Sequence, residues 1–155
     1  MIVLDASAAA ALLLNQPRSR AIGELLAEQE VAAPELLGVE LLSVLRGWVR
    51  GRGLTPARAQ EAFVDLEDLG IIWYSERALL REAWGMRDRA SAYDAIYLAL
   101  ARALSLPGQG VRVLTLDERL ARACPDLTLV PSGPHADRPP RAHGAPGLGG
   151  DSSMS

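Results

Sequence analysis

Four acidic side chains stand where an acid is useful to chemistry: Asp5, Glu40, Asp94 and Asp117. Asp5 ends the apolar run MIVL and precedes the helical ASAAAALLLN. Asp117 follows VRVLTL and opens DERLARA. Asp94 lies in SAYDAIYLALA, on the helical face of Tyr97, Leu98 and Ala101. A carboxylate on a core-facing helix costs free energy to bury unless something pairs with it. Glu40 lies inside PELLGVELLSVLRG, where most residues three and four positions away are apolar.

Three of these acids also have an ordinary structural explanation. Asp5 and Asp117 each precede a helix, and Asp is a common N-cap. Ser91 to Asp94 spells S-x-x-D, close to a capping box, which would put Asp94 in a first turn favoured by the helix dipole. No cap explains Glu40. Glu35 does sit at a helix start, where the dipole accounts for it.

Taken together the four suggest more. In an open parallel sheet, sites form outside the carboxyl ends of the strands, and Asp5 and Asp117 both stand at such ends. If Asp94 and Glu40 join them, up to four like charges share one pocket. That arrangement needs raised pKa values or a cation. Hard oxygen donors without His or Cys select Mg²⁺ or Mn²⁺. A divalent ion held by carboxylates is suited to phosphodiester cleavage, where it activates water and neutralises the phosphate.

What the composition lacks narrows the choice. All 16 basic residues are arginine, and His135 and His143 both lie near the C-terminus. The body therefore has no His base, no His ligand and no Ser-His-Asp triad. Without a lysine, receiver-domain and haloacid-dehalogenase-type readings fail; the latter also wants an Asp at position 7, where Ser stands. Cys124 is the single cysteine, so no internal disulfide forms, and a reducing cytoplasm is expected. The apolar run Ala6 to Leu14 follows Asp5 and no basic residue, the wrong charge order for a signal peptide, and no run is long enough for a membrane span. A formal charge of −3 argues mildly against a nucleic-acid partner but does not decide it.

The elements that must position the acids alternate. Strands are expected at Met1–Leu4, Val31–Ala33, Ile71–Tyr74, Val111–Leu116 and Leu127–Val130. Helices are expected at Ala6–Asn15, from Pro17 to about Gln29, at Glu35–Arg50, from Thr55-Pro56 to Leu69, at Arg77–Arg89, Ser91–Leu104 and Asp117–Ala123. That pattern predicts an α/β fold, with a parallel sheet covered by helices on both faces. One domain spans 1–130; the Pro/Gly/Ser-rich stretch 131–155 is expected to be a disordered tail. Trp73 and Trp84 are expected to be packing residues.

Four segments in order, MIVLDASA, APELLGVELLSVLR, AWGMRDRASAYDAIYLALA and LTLDERLARA, resemble the PIN-domain ribonucleases, specifically the VapC-type toxins of bacterial toxin–antitoxin pairs. The resemblance covers about residues 1–130. It implies a three-layer α/β/α fold with a five-stranded parallel sheet in order 3-2-1-4-5. It implies that Asp5 and Asp94 bind metal, helped by Glu40 and Asp117, with Ser7 and Thr115 as flanking hydroxyls. It further implies Mg²⁺-dependent endoribonuclease action on tRNA or rRNA, restraint by a VapB-type antitoxin, and a homodimer. The loop SLPGQG before the fourth strand is longer than the pattern expects. A non-catalytic PIN-like module binding RNA or protein, and a house-keeping RNA-maturation nuclease, are the alternatives. Arg46, Arg50 and Arg52 with Trp48 among them, and Arg87 and Arg89, are candidates for RNA contact; a solvated face or the helix C-terminus accounts for such arginines, and core or a dimer interface for Trp48, at least as well.

Overall fold

Among the described residues, the apolar runs between the helices become five strands. The computed structural model of the chain describes residues 1–132. The expected tail lies outside these residues, apart from Pro131 and Ser132. The strands are β1 (Ile2–Leu4), β2 (Val31–Pro34), β3 (Ile72–Tyr74), β4 (Val113–Leu114) and β5 (Thr128–Leu129). They form one sheet in order β3-β2-β1-β4-β5, with every pair parallel. The expected order is therefore observed.

Among the described residues seven α-helices flank the sheet: α1 (Ala6–Leu13), α2 (Ser19–Leu26), α3 (Leu36–Arg50), α4 (Pro56–Asp68), α5 (Leu80–Gly85), α6 (Ala92–Leu104) and α7 (Glu118–Ala123). The helix α1 packs on α2, α3 and α4, while α6 packs on β1, β2, β4 and α5. Tyr97, Leu98 and Ala101 of α6 are fully enclosed, as their spacing requires. The start of α4 follows its cap: the Thr55 hydroxyl accepts the Arg58 N–H at 3.2 Å, with Pro56 as first helical residue. Gly70, at φ +62°, turns the chain out of that helix.

The register fixes where the site lies. Val3 pairs with Val113 and Leu4 with Leu114, so the residues just after β1 and β4 emerge side by side. Connections leave β1 for β2 on one side and return to β4 on the other. That is the switch point at which open sheets form ligand crevices.

Three expectations need correction. The fourth strand is shorter than Val111–Leu116 because side chains take backbone bonds at both ends: at its start the Val111 N–H goes to Ser105 Oγ at 2.9 Å, and at its end the site takes over. The Leu116 N–H goes to Ser7 Oγ at 2.9 Å and the Asp117 N–H to Thr115 Oγ1 at 3.0 Å. The segment Arg77–Arg89 is not one helix; a 3₁₀ turn at Glu76–Ala78 precedes the short α5, and turns follow it. Trp84 does not pack inside: it is 71% exposed, and Trp73 on the edge strand β3 is 42% exposed. The loop SLPGQG closes on itself through paired backbone bonds between Leu106 and Gln109, clear of the acids.

Candidate active site

Asp5 stands at the end of β1, almost fully buried. Its N–H continues the sheet to Leu114 O at 3.1 Å. Two hydroxyls donate to the same carboxylate oxygen, Oδ2: Ser7 Oγ at 2.5 Å and Thr115 Oγ1 at 2.7 Å. Each hydroxyl also accepts a backbone N–H from the turn after β4, which fixes the direction of its own proton. Oδ1 of Asp5 has no side-chain hydrogen bond among the described residues and is left for a further partner. The N-cap explanation does not hold for Asp5, because its side chain makes no cap bond to α1.

Burial pushes the Asp5 pKa up; the Ser7 and Thr115 hydroxyls pull it down, and the charge of Asp94 pushes it up again. Glu40 on α3 is in a similar position. Burial raises its pKa, the hydrogen bond from Tyr97 lowers it, and the charges of Asp5 and Asp94 raise it. That hydrogen bond is short, with Tyr97 Oη donating to Glu40 Oε2 at 2.6 Å. Tyr97 is itself held well above the usual phenol range by burial and by Glu40, so it stays a donor.

Asp94 keeps its capping role and gains another. Ser91 Oγ accepts the Asp94 N–H at 3.2 Å and donates to Asp94 Oδ2 at 2.7 Å. The carboxylate thus takes the cap's hydroxyl instead of reaching back to its N–H. Asp117 is a true N-cap, its Oδ1 accepting from the N–H groups of Arg119 and Leu120 at 2.8 and 3.1 Å. Its other oxygen, Oδ2, is 3.8 Å from Arg119 Nη2, and the same nitrogen is 3.5 Å from Asp94 Oδ2. One guanidinium therefore bridges two of the acids.

The elements bring Asp5, Glu40 and Asp94 within reach of one another's charge, and Arg119 ties Asp94 to Asp117. Among the described residues, no three His, Cys, Asp or Glu side chains are close enough to cage an ion. Mg²⁺ does not demand such a cage. It keeps several waters and takes one or two carboxylates plus substrate phosphates. The all-oxygen donor set, and a buried acid pressed by its neighbours with an oxygen to spare, fit that ion.

The PIN-domain family model matches residues 2–124. The chain belongs to the PIN-domain family. It is 36% identical over 135 residues to the VapC ribonuclease Mb0985 of Mycobacterium bovis, covering 84% of this chain and 99% of that protein. It is 36% identical over 130 residues to ribonuclease VapC3 of Mycobacterium tuberculosis, covering 83% of the chain and 91% of the relative. Ribonuclease VapC12 of the same species is 31% identical over 123 residues, 79% and 92% of the two chains. These relatives put the chain in the VapC branch of the family.

Around the acids of this PIN domain the expected arginines divide into two groups. Arg46, Arg50 and Arg52 are exposed and, among the described residues, have no carboxylate partner. Trp48 is half-buried, and two helical residues are about 200° apart, so Arg46 and Trp48 do not share a face of α3. Arg87 and Arg89 instead line a cavity of about 230 Å³ that also takes in Ser91, Asp94 and Arg119. Arg119 and Tyr97 are the functional candidates that the sequence did not single out. A Tyr97→Phe variant tests the second. With that donor gone the Glu40 pKa climbs further, which carboxyl-carbon NMR titration reads directly; an unmoved titration would show that Tyr97 does not control Glu40.

Proposed function

We propose that this PIN domain is a Mg²⁺-dependent endoribonuclease, with Mn²⁺ able to substitute, and that it is the toxin of a VapBC-type pair. On this reading it cuts tRNA or rRNA and is restrained by a VapB-type antitoxin. The observation that carries the reading is that Asp5, Glu40 and Asp94 lie within reach of one another's charge at the switch point, where Asp5 and Glu40 have hydroxyl donors but, among the described residues, no cationic side chain. The ribonuclease names of the VapC relatives agree with it.

Asp5 and Asp94 would hold the ion, with Glu40 and Asp117 assisting. A divalent cation bound there supplies water activation at neutral pH and offsets phosphate charge. The chain's own residues prepare the place. Ser7 and Thr115 lock Asp5 Oδ2 and leave Oδ1 without a side-chain donor among the described residues. Tyr97 holds Glu40 in one orientation. Arg119 partly balances the charges of Asp94 and Asp117. The expected products carry a 5′-phosphate and a 3′-hydroxyl.

The test is purified protein, freed of any partner, on total tRNA and rRNA with Mg²⁺ or with EDTA. Discrete cuts that vanish on chelation are expected. A folded protein that leaves both RNA pools intact in Mg²⁺ and in Mn²⁺ would overturn the reading in favour of a non-catalytic module.

We also propose a homodimer. Leu80, Trp84 and Tyr93 are each more than half exposed, and with Leu36, Ala83 and Ile96 they line an apolar groove of about 390 Å³. Val39 and Leu42, at 65% and 53% exposure, continue the apolar row along α3 from Leu36. Contiguous apolar surface of this kind marks an interface. Trp84→Glu should convert a dimer into a monomer in sedimentation at micromolar concentration; a wild-type protein that sediments as a monomer there would remove the proposal.

A further inference from the structure

The cavity beside Asp94 gathers arginines on an acidic protein. The chain's formal charge is −3, yet Arg87, Arg89 and Arg119 line this one depression against two acids, Asp88 and Asp94. Their fastenings differ. Arg87 lies over the Trp84 ring at 5.4 Å, donates to Trp84 O at 3.3 Å and is 3.6 Å from Asp88. Arg119 is engaged by Asp94 and Asp117. Arg89 donates to Ala123 O at 3.1 Å and, among the described residues, has no carboxylate partner. The cavity therefore holds one guanidinium without a counter-charge, and two that are loosely held at the surface.

A guanidinium fork matches a phosphate better than any other common anion-binding side chain does. RNA offers such a group at every nucleotide, and the wall formed by Ser91 and Asp94 joins this cavity to the acids. A phosphate seated here would be next along the strand to one held at the acids. Resting on the nuclease reading above, we propose that this cavity is a subsite for a backbone phosphate of the RNA adjacent to the one cut, with Arg89 as its anchor and Arg87 and Arg119 at its rim. The subsite would set which linkage reaches the acids, and it makes no demand on base identity.

The experiment is binding of a short single-stranded oligoribonucleotide in EDTA, where no cut can confuse the reading. Copies carrying one neutral methylphosphonate linkage, moved along the strand, are compared on wild type, Arg89→Ala and Arg89→Lys. Arg89→Ala is expected to weaken binding about 10-fold. It should reduce the salt slope by about 0.7, the share of one phosphate on a single strand. One linkage position should weaken the wild type by a similar factor and leave Arg89→Ala unchanged, while Arg89→Lys recovers part of the loss. A merely structural role, through the bond to Ala123 O, would lower the melting temperature without selecting one linkage. Equal affinity and equal slope in Arg89→Ala, or no binding of the oligonucleotide at all, overturns the subsite. If the arginine and linkage effects appear but Mg²⁺ brings no cleavage, the subsite stands and the nuclease reading falls. If cleavage proceeds and Arg89→Ala leaves it and the binding unchanged, the subsite alone falls.

Discussion

Asp5→Asn is expected to abolish RNA cleavage and at the same time to make the metal-free protein more stable. Both effects come from one charge. Asp5 is the most buried of the four acids, and its carboxylate carries the spare oxygen that an ion would take. Asparagine keeps the shape, and its carbonyl oxygen can still accept from Ser7 and Thr115, but it offers no negative charge. A loss of at least about 10³-fold in rate is expected, equivalent to about 4 kcal/mol of the barrier. Removing a buried charge that repels Asp94 and Glu40 should stabilise the apo fold by about 1–2 kcal/mol, as is common where a site is built at the expense of stability. The pH dependence gives the sign. Asp5 and Glu40 have folded pKa values above their unfolded ones, so the native state binds more protons than the unfolded chain. Their effect on stability is most favourable below the unfolded carboxylate range near pH ~4 and is lost as pH rises through the folded values. The gap between wild type and Asp5→Asn should therefore be narrow near pH ~4 and widen toward neutrality, in urea titrations with EDTA. Asp94→Asn should stop cleavage equally but bring less stabilisation, because it also breaks the contact with Arg119. Full activity in both variants would end the assignment of these acids.

Much of this was legible in the sequence, and what was not has physical reasons. The positions of the strands followed from apolar runs and those of the helices from caps such as Thr55-Pro56, both local signals. The strand order came from the resemblance to PIN domains, since alternation alone fixes handedness and not order. The four acids were found from their places at strand ends and on helix faces. The cap explanation proved true for Asp117, partly true for Asp94 and false for Asp5, although the local patterns look alike. What separates them lies across the fold: Thr115 is 110 residues from Asp5 in the chain. The same distance hid Tyr97, which sits 57 residues from Glu40 and reads from its spacing as ordinary core. Arg119 looked like any arginine of a short helix until α6 brought Asp94 beside it. Trp84 was misjudged because a large apolar side chain on a short helix reads as core, whereas surfaces reserved for another molecule use the same residues.

Thr115→Val isolates the part of the site that the sequence could least supply. Valine has nearly the same shape and fills the fully enclosed position of Thr115 without a cavity. It removes one hydroxyl that does two jobs, donating to Asp5 Oδ2 at 2.7 Å and accepting the Asp117 N–H at 3.0 Å. The first loss leaves Asp5 with Ser7 as its one side-chain donor among the described residues. The second leaves a backbone N–H without a partner at the start of α7. That N–H is only part-buried, so water takes up some of the lost bond; with the weakened bond to a charged acceptor, a loss of about 2 kcal/mol is expected. That corresponds to a melting shift of about 5–10 °C for a domain of this size. Cleavage should fall about 10- to 100-fold, the usual effect of removing a group that orients a metal-binding carboxylate. Ser7→Ala makes the comparison informative. Ser7 has the matching pair of bonds, to Asp5 and to the Leu116 N–H, but it is only partly buried, so water can replace its hydroxyl. Its loss should be smaller in both stability and rate. Thr115→Ser should restore both, since the hydroxyl and not the methyl carries the effect. Equal damage from Thr115→Ser and Thr115→Val would mean that packing, not the hydroxyl, holds Asp5 in place.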